Sequence, residues 1–118
     1  MSRVSLMCLF LAAGCLGNTD SSDGSSPLVS IDAPANNATV GGQVSIDITA
    51  VDDFGVDQVK LLIDGELKTT MFTAPFHYNW NTQPLVNNSQ HVIRVEALDV
   101  AKNVGTRQIT VTVQNGVQ

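Results

Sequence analysis

From Val44 to Ala50 the sequence reads Val-Ser-Ile-Asp-Ile-Thr-Ala, apolar and polar residues alternating over seven positions. Successive side chains of a strand point to opposite faces, so this pattern makes one dry face and one wet one. The alternation returns in Ile93-Arg94-Val95-Glu96-Ala97 and in Ile109-Thr110-Val111-Thr112-Val113. Val59, Leu61 and Ile63 share a face in a further run that ends at Asp64-Gly65. That pair suits the positive φ values of a tight hairpin turn, so Glu66 to Phe72 is expected to return beside it. Val29-Ser30-Ile31 at the front and Phe76 to Trp80 in the middle bring the strand count to seven. No stretch holds a 3.6-residue period with caps. The expected fold is all-β: a seven-stranded antiparallel sandwich of two sheets over residues 28–114, with 115–118 as a tail.

A body of about 85 residues buries close to two-thirds of its chain surface. It must do so without disulfides, because Cys8 and Cys15 are the chain's only cysteines and both precede it. The amino-terminal segment has another character. Arg3 is followed by Val4, Leu6, Met7, Cys8, Leu9, Phe10 and Leu11, then by Ala12, Ala13 and Gly14. A cationic start, a short apolar run and a small-residue exit make residues 1–14 a secretory signal peptide. The run is too short to cross a bilayer, which takes about 20 apolar residues.

Leu11-Ala12-Ala13-Gly14-Cys15 resembles the lipobox of bacterial lipoproteins. The resemblance implies cleavage before Cys15, which becomes the new amino terminus and carries a thioether-linked diacylglycerol with acyl chains such as palmitate. Ala12 stands where that family favours leucine, and Leu11 lies one place earlier. Each buried CH₂ contributes about 0.8 kcal/mol, and two or more chains hold firmly where one is marginal. An ordinary signal peptide with a chance cysteine is the plainer alternative. Cys8, inside the apolar run, is read as a small hydrophobe discarded with the leader.

Residues 15–27 form the lipidated cysteine and a tether, LGNTDSSDGSSP after Cys15. Too polar to offset the entropy of ordering, the tether is expected to be disordered. Among enteric lipoproteins an Asp after the cysteine retains the protein at the inner membrane. Leu16 is not Asp, which by that analogy favours the cell outer membrane in a Gram-negative host. Once Arg3 leaves with the leader, Lys60, Lys68, Arg94, Lys102 and Arg107 face eleven acids, a net charge of −6. Such a balance has no basic footprint for nucleic acid, and it gives no charge attraction to an anionic membrane.

SIDAPANNATV, SIDITAVDDFGVDQVKLLIDGEL, APFHYNW, HVIRVEALDVAKN and a final ITVTV resemble bacterial Ig-like domains of fibronectin-III character. The shared marks are a Pro near the end of the first strand, a DDxGV turn, an IDG hairpin, an aromatic strand ending in Trp and an A-x-D-x-x-x-N corner. Lys102 departs from the pattern, since the last corner usually has Gly there. The resemblance implies the sandwich fold. It says little about role, because one fold hosts many functions.

Phe76, Tyr78 and Trp80 are spaced by two and point one way, while His77 and Asn79 point the other. The three rings are read as structural core, with a stacking platform for sugar or peptide as the alternative. Asp52, Asp53 and Asp57 fall in one loop region, Asp99 and Asn103 in another, and a sandwich brings such loops to one end. Five oxygen-bearing side chains there are a candidate Ca²⁺ set, although Asp and Asn in turns also bond to their own backbone. No other cofactor is expected. His77 and His91 are read as solvent-facing and without metal-spaced partners.

No G-x-S-x-G elbow, phosphate loop or H-E-x-x-H occurs, so no catalytic residues are assigned. The sequons Asn37-Ala38-Thr39 and Asn87-Asn88-Ser89 carry little weight in a bacterial lipoprotein. The expected function is a lipid-anchored cell-envelope protein displaying a non-catalytic Ig-like binding or adhesion module. Its partner would be a protein or polysaccharide, and the membrane is reached through Cys15. A structural spacer or accessory subunit of a larger envelope complex is the second reading.

Overall fold

A computed structural model of the chain describes residues 25–115. The leader, Cys15 and most of the tether lie outside the described residues. Eight strands form: β1 (Leu28–Ala33), β2 (Thr39–Val40), β3 (Gln43–Val51), β4 (Val56–Ile63), β5 (Glu66–Met71), β6 (Phe76–Asn81), β7 (Ser89–Asp99) and β8 (Val104–Val113). They make a three-stranded sheet in the order β1-β3-β6 and a five-stranded sheet in the order β2-β8-β7-β4-β5. The all-β, two-sheet expectation holds. Its count of seven antiparallel strands is corrected by β2, which pairs parallel to β8 through Thr39↔Thr112 and Val40↔Val113.

The alternating runs line the interface between the sheets. Val29, Val44, Ile46, Ile48, Phe76 and Trp80 face inward from the smaller sheet. Val59, Leu61, Ile63, Ile93, Val95, Ala97, Ile109, Val111 and Val113 do so from the larger. Burying each of the larger side chains contributes about 1.5–3 kcal/mol, so this slab is the principal favourable term. Asp64 and Gly65 take φ of 55° and 85°, the paired positive values that turn β4 back into β5.

Chain entry into the sandwich rests on one close approach. Pro27 is buried, and a Cβ built on Gly105 would lie 2.0 Å from its carbonyl oxygen. Only a residue without a side chain lets β8 pass so near the start of β1.

Strand directions sort the loops between two ends. Residues 25–27, the β3–β4 loop (52–55), the β5–β6 loop (72–75) and the β7–β8 corner (100–103) share one end, called here the tether end. The β1–β2 link, the β4–β5 turn, the β6–β7 link and the carboxyl terminus share the other.

Candidate functional site

At the tether end the acids divide by role. Asp99, at the end of β7, is fully buried. Its Oδ1 accepts hydrogen bonds from the backbone N–H of Ala101 and of Asn103, both at 2.8 Å, and its Oδ2 accepts from Asn103 Nδ2 at 3.0 Å. Main-chain bonds from Asp99 N to Asn103 O and from Lys102 N to Asp99 O, both 3.0 Å, close the same turn. Asp99 and Asn103 therefore build the corner. Lys102 within it has a φ of 74°, so the turn keeps the left-handed conformation that glycine adopts without strain.

Asp52, Asp53 and Asp57 lie in or beside the β3–β4 loop. Asp52 Oδ2 accepts from the N–H of Phe54 at 3.0 Å, an Asx turn, while its Oδ1 is enclosed without a hydrogen-bond partner. Ser25, Ser26, Leu28, Val51, Asp52 and Asp53 line a cleft of about 290 Å³. Topology brings all five calcium candidates to one end. Among the described residues, however, no three His, Cys, Asp or Glu side chains stand close enough to hold a metal ion.

Phe76 and Trp80 are buried and Tyr78 is half-buried against the core, where the sequence placed them. Trp80 also reaches across to the other sheet, with its ring edge-to-face on His91 at 5.8 Å and 76°. His77 is exposed. His91 corrects the solvent-facing expectation: its side chain is only 13% exposed. His91 Nδ1 lies 2.6 Å from Asp64 Oδ2, and Nε2 lies 2.8 Å from Ser89 Oγ. Asp64 Oδ1 accepts from the N–H of Val92 at 3.0 Å.

The Asp64–His91–Ser89 order is that of a nucleophile relay, and no sequence motif pointed to it. The Ser89 hydroxyl donates to the Val86 carbonyl at 2.5 Å, and the cleft described above is at the opposite end. Three acceptors and donors joined in this way pin the β4–β5 turn to β7 and to the β6–β7 link. Burial pushes the Asp64 carboxyl up, but the His91 and Val92 hydrogen bonds, with the charges of His91 and Lys68, hold it below its ordinary 3.8.

A depressed folded-state value stabilises the fold above pH 3.8 and loses that effect as the pH falls through the folded value. Asp64 is well exposed to solvent, so the effect is small. Urea unfolding at pH 7 and pH 3 should show Asp64→Asn losing less stability on acidification than the parent chain; equal losses would mean that the pin does not act through this carboxylate.

With the geometry in place, the comparisons are specific. The family model of the bacterial Ig domain matches residues 27–95, more than half of the chain. The chain belongs to the bacterial Ig domain family. In this bacterial Ig domain the match ends inside β7, so β8 and the Asp99 corner lie beyond it. The fold is similar to the fibronectin(III)-like modules of CbhA from Clostridium thermocellum. The TM-score is 0.64 at 26% identity, covering 76% of this chain and 100% of the module.

It is also similar to part of the endo-beta-1,4-mannanase from Thermotoga petrophila, with a TM-score of 0.63, 12% identity and coverage of 80% of this chain and 21% of that one. A third similarity is to SGBP-B of the Bacteroides ovatus mixed-linkage glucan utilization locus, solved with a mixed-linkage heptasaccharide. There the TM-score is 0.56 at 14% identity, covering 81% of this chain and 26% of that one. At these identities the last two speak for the fold alone. No curated protein matches the chain.

Proposed function

We propose that this bacterial Ig domain is a non-catalytic display module held at the cell envelope by lipid on Cys15. The observation that carries the reading is the spacing of two features. A lipobox-like Leu11–Cys15 ends thirteen positions ahead of Leu28, where β1 opens the sandwich. Among the described residues the two sheets enclose a core of their own, so grease at the amino terminus supplies location and the β body supplies contact.

Cys15→Ser removes the thiol that the diacylglycerol would occupy. The variant is expected to move from the membrane pellet to the soluble fraction and to lose labelling by radioactive palmitate. Undiminished pelleting and labelling would refute the anchor. An accessory role in polysaccharide handling is the second reading. It is raised by the fold alone, which recurs in a mannanase and in a glucan-utilization protein solved with a heptasaccharide. Retarded migration of the sandwich in a gel containing mixed-linkage glucan or mannan would favour it.

A further inference from the structure

Six of the eight exposed large hydrophobic residues among those described stand at the tether end: Leu28, Val51, Phe54, Phe72, Val100 and Val104. They come from four separate stretches of the chain, so local sequence does not explain the clustering. Leu28 and Val51 are paired across β1 and β3 and border the same cleft. Val104 precedes Gly105, which packs on Pro27. Phe54 and Phe72, 57% and 67% exposed, stand on the β3–β4 and β5–β6 loops. A cluster of this kind on a small domain marks a contact surface.

The chain itself indicates the occupant. We infer that the tether end is a lipid-seating face, on which Phe54 and Phe72 enter the headgroup layer of the membrane that holds Cys15. The inference rests on the anchor reading. Ser25 to Pro27 already lie at this end, with the Ser25 carbonyl accepting from Asn103 Nδ2 at 3.3 Å. Only ten peptide steps therefore separate Cys15 from Ser25, a span of at most about 35 Å. The apolar end is thus the one tied nearest the bilayer, where aromatic and aliphatic side chains gain by leaving water. Asp52 and Asp53 immediately precede Phe54 and outnumber the exposed Lys102 at this end, so the face suits zwitterionic rather than anionic lipid. Seating this end turns the β1–β2, β4–β5 and β6–β7 connections outward, toward any partner.

The test installs the anchor chemically, so that it does not depend on acylation in the cell. Residues 15–118 are coupled through the Cys15 thiol to a maleimide lipid in phosphatidylcholine vesicles, and amide hydrogen exchange is compared with the same chain coupled to a soluble maleimide. Exchange in 52–55 and 72–75 should slow about tenfold on vesicles while 82–88 is unchanged. A Phe54→Ser, Phe72→Ser double variant should lose that protection, and phosphatidylglycerol should weaken it. Equal exchange on vesicles and in solution would overturn the proposal, as would protection that appears in solution with soluble glucan or with rising protein concentration. Failure of Cys15 acylation in cells would remove the anchor reading while the vesicle result still judged the face.

Discussion

Trp80→Ala is expected to cost about 3–5 kcal/mol of folding stability, the usual penalty for truncating a large buried ring. Trp80 is only 5% exposed and sits opposite Val44 in the smaller sheet, yet its ring meets His91 in the larger one. Removing it opens a cavity between the sheets and uncovers the polar link from His91 to Asp64 and Ser89. Small domains hold only about 5–15 kcal/mol in total, so the variant should unfold at a much lower urea concentration. Circular dichroism is the suitable probe, because Trp80 is the only tryptophan. A loss under about 1 kcal/mol would place the ring outside the core and return it to the role of a stacking platform.

Asp99→Ala should cost about 2–4 kcal/mol, since it strands the N–H groups of Ala101 and Asn103 and the Asn103 amide in a corner built around one buried carboxylate. Asp99→Asn keeps an acceptor for the two backbone donors but turns its own NH₂ toward that of Asn103, so an intermediate loss is expected. Thermal unfolding of the three chains should rank them parent, Asn, Ala. If instead added calcium raised the parent's melting temperature and left Asp99→Ala unaffected, the carboxylate would be a metal ligand and the corner account would fail.

The two sheets were legible because their inner faces are built from strict alternation. In β3, Val44, Ile46 and Ile48 are all buried, and in β4 Val59, Leu61 and Ile63 are. β2 was not legible. It is two residues long and is held by main-chain bonds such as Gln114 N to Val40 O at 2.7 Å, which impose no side-chain pattern. His91 was misplaced although the signal was present: it shares its parity with Ile93, Val95 and Ala97, all at the inner face. Reading β7 only from Ile93 hid that continuity.

The tether end shows a different limit. Topology alone converges Leu28, Phe54, Phe72 and Val100, which lie far apart in the chain and in no periodic run. Loop acids were visible as a group, but hydrogen-bond partners decided their roles. Asp99 is consumed by its own turn, whereas Asp52 leaves Oδ1 without a partner. No spacing rule distinguishes those two outcomes.

The most direct measurement is the intact mass of the amino-terminal peptide of the protein extracted from bacterial membranes. The account predicts a peptide that starts at Cys15 and carries diacylglycerol on its sulfur. A peptide that starts at Met1, or an unmodified Cys15 thiol on membrane-bound protein, would contradict it.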